Sequence, residues 1–368
     1  MEKDFDVVVI GGGPAGCSTA VGLARIGYRC MVLEKADYSN TRIGETLPPS
    51  IRKLLVDLGA WERFLAAGYR PACTIQSAWG SDQIRERDAI FDPYGSGWHV
   101  DRGHFDRTLA ELANATGARS VQGARVESIE VRKQGGWWLQ IDWLGQPLTA
   151  CAQVLVDASG RHSVVARRLG AKRIATDRLI GCVGFFSRAK PEIKQPEAML
   201  VESAPDGWWY SAPLSDERLV VAYMTDADLL AKLHGPLMLR LIELIGGAPR
   251  TAERLWPFDL DIAPRAFAAN SSRLDRVWGK NWIAVGDSAM AFDPLSAQGV
   301  YRAMKSGLRA AQAIGGFFSN GTEMLAAYAS ELSTEFDRYM LQRMHYYSTE
   351  TRWAGKDFWR RRHVKNFR

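Results

Sequence analysis

The residues best suited to chemistry are a glycine-rich run, Gly11-Gly12-Gly13-Pro14-Ala15-Gly16, and an acid, Glu34, about 20 residues beyond it. Gly11 permits a tight turn, Gly13 lets the backbone approach a pyrophosphate, and Gly16 lets a helix pack close to its strand. Pro14 and Ala15 open that helix, whose N-terminus offers free N–H groups and partial positive charge to phosphates. Glu34 stands where an acid binds ribose hydroxyls, and Lys35 follows it in the expected cofactor set. This is recognition chemistry for a dinucleotide.

Two later segments belong with the first. One is the turn Asp157-Ala158-Ser159-Gly160. The other is Gly286-Asp287-Ser288-Ala289, running on through Asp293-Pro294-Leu295-Ser296-Ala297-Gln298-Gly299. Strand-end turns of a doubly wound sheet converge on one crevice. Asp287 is suited to accept a hydrogen bond from a ribityl or ribose hydroxyl. The loop from Pro294 through Gln298 to Gly299 opens a helix, and its N–H groups suit the pyrimidine edge of a flavin, where negative charge develops on reduction.

The elements that must position these groups are legible in outline. Phe5 to Ile10 reads as a buried strand, followed by a helix of small and apolar residues and a second strand, Cys30 to Leu33, ending on the acid. Ser50 is placed to cap one helix over IRKLLVDLGAWERFLAAG, ending at Gly68, and Asp101 to cap another through Ala113. Arg119 to Val131 and Trp137 to Trp143 predict a hairpin, and Val154 to Asp157 a buried strand. From Leu179 the pattern becomes repeated short strands, an antiparallel sheet, then a helix over Ala227 to Leu244. Asn281 to Val285 predicts a further strand, and a helical tract runs from about Ser296 to the end. The fold class is α/β: a Rossmann-like nucleotide domain interrupted by an antiparallel β-sheet substrate domain, with a helical C-terminus. The expected boundaries are 1–72, 101–175 and 276–320 for the first, 73–100 and 176–275 for the second, and 321–368 for the helices.

Composition narrows the classes. Hydrophobic content of 46% and charged content of 24% are those of an ordinary globular chain. The net charge of +6 is mild and no dense basic block accompanies it, which speaks against a nucleic-acid partner. No apolar stretch is long enough to span a bilayer. The five cysteines, Cys17, Cys30, Cys73, Cys151 and Cys182, form no CxxC pair, and no metal-ligand spacing is found among the six histidines. With a strand starting at residue 5, the expected compartment is the cytoplasm.

On GGGPAG with Glu34, DRGHFD, DASG with Arg161, and GDSAMAFDPLSAQG, the chain resembles the FAD-dependent aromatic hydroxylases, with the related flavin-dependent halogenases and geranylgeranyl reductases. The resemblance implies FAD, a reduced flavin meeting O2, and NAD(P)H or an external reductase as electron donor. It implies that Arg102 contacts the FAD phosphate or adenosine, and that Arg42 and Glu45 of the TRIGETLPPS segment lie near the flavin. Arg102 and Asp106 also have the spacing of a helical i,i+4 pair. Halogenases carry W-x-W-x-I-P, where this chain has Trp208-Trp209-Tyr210-Ser211-Ala212-Pro213, and a lysine where it has Gln76. Gln has no ammonium group to handle hypohalous acid.

IGETLPPS, SAWGSD, GWHVDRGHFD, GWWYSAPL and DPLSAQGVYRA together look like the LodB- and GoxB-type flavoproteins, which are needed to make cysteine tryptophylquinone in partner amino-acid oxidases. That implies hydroxylation of a tryptophan in a precursor protein, with the precursor of a quinone-dependent amino-acid oxidase as partner. A monooxygenase of a small indole or phenol, a non-catalytic maturation chaperone and a prenyl reductase are the other readings.

The flavin carries the hard step, so no Ser/His/Asp triad is required. Glu45, His99 and Tyr210 are the candidate catalytic side chains, with His104 and His162 as weaker acid/base candidates. Trp79, Trp98, Trp208, Trp209 and Tyr210 are suited either to an aromatic substrate pocket or to core packing, and strand alternation sends Trp208 and Tyr210 to one face. The basic and aromatic run Arg352 to Arg368 is suited either to docking an acidic surface or to packing as a helix face.

Overall fold

The computed structural model describes residues 3–363, apart from 41, 90, 91, 191 and 195. Its first strand, Lys3–Ile10, lies at the centre of an eight-stranded sheet. The strand pairs in parallel with Cys30–Glu34 on one side and with Gln146–Asp157 on the other. Arg119–Gln122 extends the parallel order beyond Cys30–Glu34, and Trp282–Ala284 extends it beyond Gln146–Asp157. All five residues of Cys30–Glu34 are buried, as a parallel strand covered on both faces requires. The covering helices are Pro14–Arg25, Arg102–Ala115 and Gly299–Asn320. Pro14–Arg25 and Gly299–Asn320 approach so closely that a Cβ on Gly307 would come within 2.3 Å of the Ala15 carbonyl oxygen. Two strand-end turns and two helix N-termini are thereby brought to one end of the sheet.

A second sheet of seven strands runs in the order Phe258–Ala268, Leu179–Arg188, Leu219–Asp226, Gly207–Pro213, Met199–Ala204, Thr74–Ala78, Arg85–Asp88. All its pairings are antiparallel except that of Met199–Ala204 with Thr74–Ala78. One face packs on a cluster with Trp208, Tyr347, Phe358 and Trp359, the other on a cluster with Trp209, Tyr223 and Leu241. Trp208 and Tyr210 do share a face. A short three-stranded sheet joins Thr46–Leu47, Gly97–His99 and Arg70–Ala72.

Several expected elements are shorter than the sequence suggests. The helix expected over residues 51–68 is two, Ile51–Asp57 and Trp61–Ala66, parted where Gly59 takes a φ of +66°. Ser50 makes no side-chain capping bond, whereas Asp101 accepts one from the His104 N–H. The strand expected over Arg119 to Val131 breaks at Gly123, with a φ of +70°. Only Ala124–Val131 forms the hairpin with Trp137–Trp143. The helix expected over Ala227 to Leu244 is Ala227–Leu230 and Leu237–Ile245, because Gly235 and Pro236 interrupt it. The edge strand Phe258–Ala268 was not anticipated.

The C-terminal tract is three helices, Gly299–Asn320, Glu323–Ser348 and Asp357–His363. The last packs inward. Phe358 and Trp359 are fully buried, and Arg362 pairs with buried Asp226 at 2.7 Å. The stretch through His363 is thus a packed helix face, not a free docking arm, and residues 364–368 lie outside the described residues. Among the described residues no helix is long and apolar enough to cross a membrane.

Candidate active site

The glycine turn is built by close approach. Gly11 has a φ of +114°, and a Cβ there would lie 2.2 Å from the Ala158 carbonyl oxygen. A Cβ on Gly16 would meet the Gly11 carbonyl oxygen at 1.9 Å. Gly13 is different, because its Cβ direction meets no atom within 4 Å. The turn therefore needs Gly11 and Gly16 for its own packing and leaves open space at Gly13. Gly299 faces open space in the same way, and Gly286 has a φ of +55° against Ala15.

Glu34 is buried at the end of its strand. Its Oε2 accepts the Gly12 N–H at 2.7 Å, and its Oε1 accepts from the Ala36 N–H at 3.0 Å and from Arg42 at 3.4 Å. A carboxylate has about four acceptor sites, so capacity for a sugar hydroxyl remains. Lys35 beside it is exposed. Arg42 also donates to Oδ2 of Asp106 at 2.9 Å and lies over the Tyr38 ring. The structure thus sets Arg42 against Glu34. Arg102 forms the i,i+4 pair with Asp106, with bonds of 3.1 and 3.0 Å, and donates to the Ile43 carbonyl at 2.6 Å. One buried carboxylate, Asp106, holds two guanidinium groups and through them the segment before Glu45. The two opposed donors keep the buried charge compensated.

Asp287 lies 3.5 Å from Arg161, and Arg173 donates to its carbonyl at 2.6 Å. Asp157 is consumed internally, accepting from Ser159 and from the Ala166 N–H. Asp293 caps the Pro294–Ser296 turn by accepting the Leu295 N–H at 3.0 Å. Ala297 follows in the left-handed region with a φ of +49°, and Gln298 occupies the cap of Gly299–Asn320 and accepts from Arg302.

Two of the three candidate catalytic side chains, His99 and Tyr210, meet through a residue that sequence reasoning passed over. Thr46 Oγ1 lies 3.0 Å from His99 Nδ1 and shares a 2.7 Å hydrogen bond with the Tyr210 hydroxyl. Glu45 precedes it, buried, with Oε1 lacking a partner among the described residues. His99 is fully buried and its Nε2 likewise lacks one. Burial, reinforced by Arg70 and Arg254, pushes the His99 pKa down to about 4. Burial pushes the Glu45 carboxyl up. Burial, with the neighbouring Glu45 charge, raises the Tyr210 hydroxyl. Both unpaired atoms are costly to bury without a purpose. Thr46 carried a weak signal, since it sits in IGET next to the acid; its bond to Tyr210 spans 164 positions and no local pattern reveals it.

His104 and His162 are not part of this group. His104 bonds Tyr69 on the surface, and His162 is exposed in a short turn. The aromatic set also divides. Trp98 packs with Trp61 and Phe64, and Trp209 packs with Tyr223. Trp79 and Trp208 are packed by Trp359 and Tyr347 of the C-terminal helices. They serve as core, leaving Tyr210 as the member of the set beside the polar group.

Residues 4–340 match the FAD binding domain family. The chain belongs to that family. Its relatives are FAD-dependent oxidoreductases and halogenases, and it is an FAD-binding enzyme. LodB of Marinomonas mediterranea, named as an FAD-dependent oxidoreductase, is 30% identical over 98% of both chains. The solved structure of the myxobacterial chondrochloren halogenase CndH superposes with a TM-score of 0.89 over 99% of this chain and 87% of that one, at 24% identity, a likeness of fold. The peptidyl tryptophan dihydroxylase QhpG, essential for tryptophylquinone cofactor biogenesis, gives a TM-score of 0.75 at 27% identity, covering 98% of this chain and 78% of QhpG. The open space at Gly13 and Gly299, with Glu34 at the strand end, fits FAD as the bound group.

Proposed function

We propose that this flavoenzyme is a monooxygenase that hydroxylates a tryptophan side chain in a precursor protein during formation of cysteine tryptophylquinone. The observation that carries the reading is the Glu45–Thr46–His99–Tyr210 group, with Glu45 and His99 buried, in a chain alike along nearly its whole length to a peptidyl tryptophan dihydroxylase. When bound, FAD supplies the oxidative chemistry with O2, using electrons from NAD(P)H or an external reductase.

The residues of the chain divide the remaining work. Gly11, Gly13 and Gly16, with the helix opened by Pro14 and Ala15, take the pyrophosphate. Glu34 takes ribose hydroxyls, with Lys35 and Arg42 beside it, and Arg102 serves the phosphate or adenosine. Gly286 and Asp287 take the ribityl side. The loop from Pro294 to Gln298 and Gly299 presents N–H groups to the flavin pyrimidine edge. Glu45, whose carboxyl burial pushes up, can donate a proton when protonated. His99, neutral near pH 7, can accept one at Nε2. Thr46 fixes the His99 ring and the Tyr210 hydroxyl in one orientation. The net change on the substrate is replacement of an indole C–H by C–OH.

The halogenase alternative is disfavoured by residue chemistry. Gln76 stands in Thr74–Ala78, and its amide donates to Glu86 at 2.6 Å. It brings no ammonium group there.

The test measures NAD(P)H oxidation and oxygen uptake by the FAD-loaded protein with and without a precursor amino-acid oxidase, and weighs that precursor by mass spectrometry. Gain of oxygen on a precursor tryptophan with stimulated oxygen uptake is expected. An unchanged precursor mass under turnover rejects the reading and points to a small indole or phenol. Tight precursor binding without turnover points to a maturation chaperone.

A further inference from the structure

Helices Gly299–Asn320 and Glu323–Ser348 flank a solvent-open cavity of about 380 Å³ apart from the Glu45–Thr46–His99–Tyr210 group. Its walls carry four cations, Arg302, Lys305, Arg309 and Arg338, against two carboxylates, Glu331 and Glu335. Both carboxylates are already taken. Arg309 pairs with Glu331 at 3.4 Å and with Glu335 at 3.2 Å, and Arg302 pairs with Glu335 at 3.3 Å. Arg302 is fixed further by the Phe292 ring, 4.4 Å away. Among the described residues neither Lys305 nor Arg338 has a carboxylate within ion-pair distance.

Lys305 is half-buried beside Arg309 and Arg302, with its ammonium 5.9 Å from the Tyr301 ring centre. Burial, and then repulsion from Arg309, depresses its pKa. A desolvated ammonium among like charges is an expense the fold itself does not require. The remaining wall adds hydroxyl groups, from Tyr301, Ser330 and Thr334, and the amide of Gln298. Unpaired cations from two helices, surrounded by neutral donors, suit an oxyanion of more than one charge. The volume is that of a small-molecule site and too small for a folded segment.

We propose that this cavity binds a phosphate-bearing small molecule, with Lys305 and Arg338 as its anion contacts. Inorganic phosphates and nucleotide phosphates share this chemistry. The proposal is independent of the hydroxylase reading, because it is read by binding and not by turnover.

The experiment is calorimetric titration of the FAD-loaded protein with inorganic pyrophosphate, with AMP, and with citrate at matched ionic strength, repeated on Lys305→Gln and Arg338→Gln. Flavin absorbance is followed throughout. Binding of pyrophosphate or AMP, weakened at least about tenfold by each substitution with the flavin retained, is expected. Tighter AMP marks a nucleotide site, and tighter pyrophosphate an inorganic one. Undiminished affinity in both variants, no binding, displacement of the flavin, or equal binding of citrate would each overturn the proposal.

Discussion

The Tyr347 hydroxyl donates to Oδ2 of Asp293 at 2.8 Å, and both groups are shut away from solvent. Tyr347 in turn accepts the indole N–H of Trp208 at 3.0 Å, and Arg343 donates to the same Asp293 oxygen at 3.1 Å. These bonds join Glu323–Ser348 and the second sheet to the loop that opens Gly299–Asn320. Tyr347→Phe removes one donor to a buried carboxylate and leaves the Trp208 N–H unpaired. It should destabilise the fold by about 1–3 kcal/mol. It should also weaken FAD, because the Asp293–Gly299 turn loses an anchor. Urea denaturation and a flavin fluorescence titration check both, and unchanged values in the two would show the bond to be incidental.

Asp106 is the next position where one atom group supports much. It is fully buried and holds Arg42 and Arg102 together. Asp106→Asn leaves Arg102 without its counter-charge and Arg42 with Glu34 alone, and should cost about 3–5 kcal/mol. Asp6, which pairs with an Arg29 that is 63% exposed, provides the comparison. Asp6→Asn should cost less than about 1 kcal/mol. Equal losses in chemical denaturation would mean that burial does not govern these pairs.

His99 and Glu45 should leave opposite marks on stability against pH. The His99 pKa falls from 6.5 to about 4 on folding, so between those values the unfolded chain binds more protons. Stability then rises with pH across that window and is lost as pH falls through it, by up to about 3 kcal/mol. Glu45 is shifted up, so the folded chain binds more protons just above pH 4.5 and stability falls as pH rises there. His99→Gln should flatten the rise, and Glu45→Gln should steepen it. Thermal melts at a series of pH values from 4 to 7 measure both slopes, and parallel curves for the two variants would refute the assignment.

The parts of the fold that were legible are those set by local chemistry. GGGPAG with its strand, helix and Glu34 carried its geometry in its spacing, because glycine positions and strand periods act over a few residues. Asp101 as a cap was legible for the same reason. The breaks at Gly59 and Gly123 were visible as residues, but that each adopts a positive φ is decided by the packing on either side. Thr46, Asp293 and Tyr347 could not be found this way. Their roles depend on partners many positions away, such as the 54 positions between Asp293 and Tyr347. The division of the aromatic set has the same origin. By sequence Trp208 suited a pocket or a core, and the C-terminal helices that cover it decide for the core.

Gly13 and Gly16 allow cofactor binding and folding to be separated within one turn. A Cβ on Gly16 would sit 1.9 Å from a backbone oxygen of Gly11, so Gly16→Ala must push the helix off the first strand. It should destabilise the protein by several kcal/mol, about the scale of overpacking in a rigid core or more. A Cβ on Gly13 meets no protein atom within 4 Å. Gly13→Ala should therefore leave the melting point of the FAD-free protein unchanged. The added methyl would stand where the pyrophosphate approaches, and FAD affinity should fall at least about tenfold, about 1.4 kcal/mol. Melting curves of the FAD-free forms and flavin titrations distinguish the two substitutions. If Gly13→Ala bound FAD like the parent chain, the pyrophosphate would not pass over this turn.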